Sequence, residues 1–225
     1  MVPQVEREGS STPVEEGPRI VFLGTSLTEG YGLPSPEASY PARIGAMADS
    51  AGYRIQAVNS GVAGETSAGA LARIEWVLSQ DVDVLVLEMG ANDGLRGIPP
   101  ATLRENLEQL VDQTARTRPE TPILLLAMEA PPNLGTEYAQ QFRQVYADLA
   151  EHPQVHPGPF LLEGVAGVRE LNQADGIHPT EAGHRRMART VWPYLEPLLE
   201  AWHPEAQNEG GPSPPPPSTS GARTP

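Results

Sequence analysis

Cysteine is absent from this chain of 225 residues, and lysine is absent with it. Without cysteine there is no disulfide, no thiolate nucleophile and no cysteine-ligated metal, and the redox compartment cannot be read from the sequence. All 15 basic residues are arginine, set against 29 acidic ones, for a formal net charge of −14. A surface this acidic repels nucleic-acid phosphates and anionic lipid, so neither is expected as a partner. Lysine loss with acid gain suits a salt-rich cytoplasm; a GC-rich genome exchanging Lys for Arg leaves the same mark. No run approaches the roughly 18 apolar residues of a membrane span. The start, Met1 to Pro18, is polar and acidic and lacks the apolar core of a signal peptide. That pattern implies a cytoplasmic protein, or a periplasmic or secreted one if an export signal is missing from the stretch shown.

What is present is one ordinary domain between two tails. Residues 1–18 are rich in Glu, Pro, Ser and Gly and read as disordered. Residues 203–225 carry Pro214 to Pro217 in a row and read as an extended, proline-rich tail. The folded unit is expected over 19–202. Within it, strands are expected at Arg19 to Leu23, Tyr53 to Val58, Val82 to Leu87, Ile123 to Met128 and Phe160 to Leu162. Helices are expected at Tyr40 to Ser50, Thr66 to Leu78, Thr102 to Arg116, Thr136 to Ala150 and Pro179 to Leu199. Pro193 and Pro197 predict a kink or break near the end of the last helix. The alternation implies a parallel sheet of about five strands with helices on both faces, an α/β/α sandwich. Its chemistry should lie on loops at the carboxyl ends of the strands.

The stretch Ile20-Val21-Phe22-Leu23-Gly24-Thr25-Ser26 anchors the chain. A buried strand runs into a tight turn, and Ser26 follows it as a nucleophile candidate or as a helix N-cap. A serine nucleophile needs a base, an orienter for that base and donors for the developing oxyanion. Asp175-Gly176-Ile177-His178 supplies His178 as the base and Asp175 as its orienter, three residues apart on a loop or one helical turn. Pro179 is expected to open the following helix. Asn92, in Gly90-Ala91-Asn92-Asp93, carries a side-chain NH2 that can donate to an oxyanion. Gly64 can present a bare backbone N–H, and Ser26 N–H is the third donor.

These stretches, in this order, resemble the SGNH (GDSL-type) hydrolases across nearly the whole domain. Gly24-Thr25-Ser26-Leu27 resembles the first block, Gly64 falls in the second, Gly90 to Asp93 resembles the third, and Asp175 to His178 the last. Asn92 to Gly97 and Ala130 to Gly135 look like the bacterial thioesterase, lysophospholipase and arylesterase branch. The resemblance implies a flavodoxin-like sheet and hydrolysis of small or medium acyl esters and thioesters through an acyl-serine. It implies Ser26, Gly64 and Asn92 as the oxyanion hole, and no cofactor or metal. Two positions depart from the pattern. Thr25 stands where the family usually has Asp, and Glu129 where this branch often has Arg. The Glu129 carboxylate should make anionic head groups or CoA phosphates less welcome.

Other readings remain open at this point. A carbohydrate O-deacetylase or acyltransferase could use the same triad. The turn after the first strand could also cradle a phosphate, as in a flavin or nucleotide binder. Against that, there is no Walker lysine and no Gly-x-Gly-x-x-Gly after this strand. His152 and His156 are broken by Pro153 and Pro157 and read as loop, His184 as structural, and Trp76, Trp192 and Trp202 as core or rim packing.

Overall fold

The structure is a computed structural model, and it describes residues 17–202. The expected disordered tails therefore lie outside the described residues, except for Gly17 and Pro18; Pro18 O accepts from Gln56 N–H at 2.9 Å. Five strands form one parallel sheet: β1 (Arg19–Gly24), β2 (Gln56–Gly61), β3 (Val84–Glu88), β4 (Ile123–Ala127) and β5 (Val155–Phe160). Their order is β2-β1-β3-β4-β5, the flavodoxin-like arrangement. Ile20, Phe22, Leu23, Val84 to Leu87 and Ile123 to Leu126 are buried, as continuous apolar runs in a doubly covered parallel sheet must be.

Among the described residues, seven α-helices flank the sheet. They are α1 (Ser26–Glu29), α2 (Tyr40–Ser50), α3 (Ser67–Leu78), α4 (Ala91–Leu95), α5 (Pro100–Thr117), α6 (Thr136–Leu149) and α7 (Glu181–Trp202). Helices α2 and α7 pack together, and α3, α5 and α6 pack as a second layer. Right-handed crossovers place these two layers on opposite faces. Each helix buries a stripe at helical spacing, such as Leu103, Leu107, Leu110 and Val111 on α5.

Several expectations need correction. The fifth strand is Val155–Phe160, earlier than Phe160 to Leu162, and it runs through Pro157 and Pro159. A strand at the sheet edge pairs on one side, so missing N–H groups can face outward. His156 accordingly lies on β5 and only His152 lies in a turn. Pro179 does not open the last helix; it pairs with Asn172 in a short bridge, and α7 begins at Glu181. That helix then continues through Pro193 and Pro197 to Trp202. Both prolines are exposed and four residues apart, so they share the solvent face, where water can satisfy the carbonyls they leave unpaired. The second strand starts at Gln56 and not at Tyr53. Trp76 is not core: it is 65% exposed.

Candidate active site

The carboxyl ends of all five strands converge on one cavity of about 760 Å3. Loops after β1, β2, β3, β4 and β5 bring Ser26, Gly64, Asn92, Glu129 and Leu162 to its wall.

The nucleophile turn is fixed from below. Gly24 has no room for a side chain, because a Cβ there would stand 1.9 Å from Thr28 Oγ1. Thr25 is the N-cap of α1, its hydroxyl accepting from Leu27 N–H at 3.4 Å. Ser26 is therefore the first residue of the helix and not its cap, which leaves its hydroxyl free for other partners. Beneath the turn, the carboxylate of Glu88 accepts from Thr25 N–H (2.8 Å), Thr25 Oγ1 (3.0 Å) and Thr28 Oγ1 (2.8 Å). Glu88 is fully buried, and that burial pushes its carboxyl up to about 7 against the opposing pull of the Thr25 and Thr28 hydrogen bonds. The network continues from Thr28 to Tyr40 Oη at 3.0 Å.

Above the turn, Ser26 Oγ lies 3.1 Å from His178 Nε2, and His178 Nδ1 lies 2.7 Å from Asp175 Oδ2. Asp175 Oδ1 also accepts the backbone N–H groups of Ile177 (2.9 Å) and His178 (3.0 Å). The His178 side chain first, then these backbone donors, hold the Asp175 carboxyl far below the usual carboxylate range. The segment carrying the pair is a loop closed at its base. Gln173 N–H donates to His178 O, and Thr180 N–H donates to Leu171 O. The Gln173 side chain donates to Tyr31 O at 2.7 Å, tying this loop to the one after α1. The Tyr31 ring leans on the His178 ring at a centroid distance of 4.6 Å.

The expected donors converge on the same wall. Ser26, as the first residue of α1, has no intrahelical acceptor for its N–H. Gly64 has φ +75, and only Arg96 comes within 4 Å of where a Cβ would sit. Arg96 donates to Gly64 O at 2.7 Å, which fixes that peptide. Asn92 Nδ2 donates to Glu65 O at 2.9 Å, using one of its two hydrogens and fixing the amide plane. Its neighbour Asp93 is buried and accepts from Ser67 N–H (3.0 Å) and Ser67 Oγ (2.5 Å), locking α4 against α3. Together these groups can pass a proton from a hydroxyl to an imidazole and offer N–H donors to a nascent oxyanion. Among the described residues no group of three His, Asp or Glu is placed to hold a metal.

Of the residues expected from sequence, Ser26, Gly64, Asn92 and His178 line the cavity and Asp175 stands behind His178; sequence reasoning missed Glu88, Tyr31 and Gln173. Glu88 could have been flagged as an acid ending an otherwise apolar strand. The other two carried no local signal.

Residues 22–186 match the GDSL-like lipase/acylhydrolase family. The chain belongs to this family. It is a carboxylic ester hydrolase of the SGNH type. Esterase TesA of Pseudomonas aeruginosa is 40% identical over 80% of this chain and 89% of that relative. The arylesterase of Vibrio mimicus is 35% identical over 72% of this chain and 80% of that relative. A crystal structure of TesA superposes with a TM-score of 0.75 at 37% identity, covering 80% of this chain and 99% of the other. These relatives favour a serine esterase over the carbohydrate deacetylase, acyltransferase and nucleotide-binding readings.

Proposed function

We propose that residues 19–202 form the catalytic unit and that it hydrolyses small to medium acyl esters and thioesters through an acyl-serine on Ser26. The reading is carried by one observation: the Ser26–His178–Asp175 chain, at 3.1 and 2.7 Å, opens into a largely apolar cavity of about 760 Å3. In the first step His178 Nε2 takes the Ser26 proton as Oγ attacks the acyl carbonyl carbon. The carbonyl oxygen becomes an oxyanion held by Ser26 N–H, Gly64 N–H and Asn92 Nδ2. Asp175 orients the imidazole and balances the imidazolium. The tetrahedral centre collapses, and the alcohol or thiol leaves with the proton from His178. Water then attacks the acyl-serine by the same sequence in reverse, releasing the acid. Among the described residues no helix is long and apolar enough to cross a membrane. The acidic composition argues against nucleic acid as a partner.

The test is covalent labelling joined to kinetics. A fluorophosphonate probe should label the wild type and leave Ser26→Ala unlabelled. Turnover of p-nitrophenyl esters from acetate to palmitate should peak at short or medium chains. Asn92→Ala should lose on the order of 100- to 1000-fold in kcat, with little change in KM. Labelling that persists in Ser26→Ala would move the nucleophile elsewhere, and near-normal kcat in folded Asn92→Ala would remove it from the oxyanion hole.

A further inference from the structure

The wall of the active-site cavity is mostly apolar or small: Leu27, Met128, Pro131, Phe160, Leu162 and Ile177 all line it. Apart from the His178 imidazole, Glu129 is the one titratable charged side chain among the described residues that line it. Glu129 follows β4, on the arm of the cavity bounded by Met128, Ala130 and Pro131. Its side chain is 41% exposed. Its partner is Arg143 on α6, which donates to Glu129 Oε2 at 3.0 Å but does not itself line the cavity. A carboxylate-bearing residue therefore stands in the cavity wall, and its counter-charge is carried by a residue outside that wall. Arg96, on the Gly64 side, donates to Gly64 O and keeps its charge, but it is not among the residues that line the cavity. A polyanionic substrate entering this cavity meets one carboxylate and no arginine among the residues that line it.

We propose that Glu129 is a specificity-determining residue that selects uncharged acyl esters and thioesters and rejects polyanionic ones, nucleotide-bearing thioesters such as acyl-CoA above all. The inference rests on the esterase reading and sharpens it to a substrate class. Its physical basis is the attraction or repulsion of full charges about 10 Å or less apart in a partly desolvated cleft, where salt screens them incompletely. Charge complementarity of this kind rejects the wrong partner more than it strengthens the right one.

The experiment compares two substrates with the same reacting bond, butyryl-CoA and S-butyryl-N-acetylcysteamine, at low ionic strength. The readout is the ratio of their kcat/KM values. Wild type should favour the neutral thioester. Glu129→Gln should narrow the ratio, and Glu129→Arg should narrow it by about tenfold. Glu108→Arg, on the exposed face of α5 and away from the cavity, changes net charge by the same two units and should leave the ratio within about twofold of wild type. Melting temperatures confirm that each variant is folded. An unchanged ratio in both Glu129 variants would overturn the proposal. So would an equal shift in Glu108→Arg, since discrimination would then belong to the overall charge of −14. Failure of the esterase reading would look different: wild type would not hydrolyse the neutral thioester at all.

Discussion

A carboxyl group with no access to water lies directly under the nucleophile turn. Glu88 holds Thr25 and Thr28 and through them the position of Ser26. Three donors converging on one buried carboxylate give it a definite geometry, yet its burial still favours the protonated form. The linkage follows from that. The carboxyl titrates near 4.5 when unfolded and near 7 when folded, so between these values the folded state binds more protons. Stability attributable to Glu88 should therefore fall as pH rises from about 4.5 to about 7, by on the order of 3 kcal/mol, and be flat above that. Urea unfolding of wild type and Glu88→Gln at pH 5 and pH 8 isolates this contribution. The wild type should lose more stability than the variant on going to pH 8, and equal losses would show that Glu88 ionises freely. Asp175 works in the opposite sense and in a lower window, because its folded carboxyl is depressed; its contribution is lost only as pH drops below the usual carboxylate range. His184 is a third displaced group. Burial first, then the Arg43 and His178 charges, lower it to about 4, and its Nδ1 accepts from Tyr40 N–H, so it serves as a neutral packing group.

Elements are held by side chains that cross between them as much as by their own propensity. Asp93 locks α4 to the start of α3, and Asn106 on α5 donates to Ser67 Oγ at 2.9 Å in the same cluster. Tyr146 on α6 donates to Met89 O at 2.7 Å, just before Gly90, whose φ of +112 and absent Cβ let the chain turn there. A Cβ on Gly90 would lie 2.1 Å from that tyrosine hydroxyl. Asn92 is thus aimed by two helices that are distant from it in sequence. Helix α7 shows the reverse case, a helix that propensity argues against. Its two prolines remove two intrahelical donors, but Val191, Leu195 and Leu199 still bury one continuous stripe. Packing outweighs the lost bonds. Pro193→Ala should restore the donor to the Arg189 carbonyl without touching the cavity. The expected outcome is a melting temperature a few degrees higher, about 2–4 °C per kcal/mol gained for a domain this size, with kcat unchanged. A lower melting temperature would show that the proline stabilises chiefly by restricting the unfolded chain.

At the scale of the whole molecule the dominant feature is charge. A net −14 carried by 29 acidic and 15 basic residues is self-repulsive, and few of the ion pairs are buried. The Arg73–Glu65 pair is the exception, and it braces the loop that carries Gly64. Exposed pairs of the other kind contribute little and are screened by salt. Repulsion between like charges is screened as well, and a net charge of −14 leaves much of it uncompensated. Raising NaCl from about 10 mM to about 1 M should therefore raise the melting temperature, most steeply in the first part of the range, where the screening length falls from about 30 Å to about 10 Å. A flat or falling curve would mean that the acidic residues are spread widely enough not to repel, and would favour genome composition over salt adaptation as the origin of the lysine-free surface.

The sequence by itself determined the layers and the family. Apolar runs of strand length alternating with helical stripes specify a doubly covered parallel sheet, since no other arrangement buries them. Ser26, Asn92, Asp175 and His178 were legible because each is a residue type with few uses at its position after a strand or in a tight loop. Tertiary structure decided what depends on contacts between distant segments. Glu88 reads locally as the end of a strand, and only the fold sets it beneath Thr25, 63 residues away. Gln173 reaches Tyr31 across 142 residues. The course of β5 through two prolines follows from its place at the sheet edge, and the unbroken α7 from its prolines facing water, neither of which is written in local sequence. Local pattern encodes which face an element must bury; which polar groups then meet is set by how the buried faces stack.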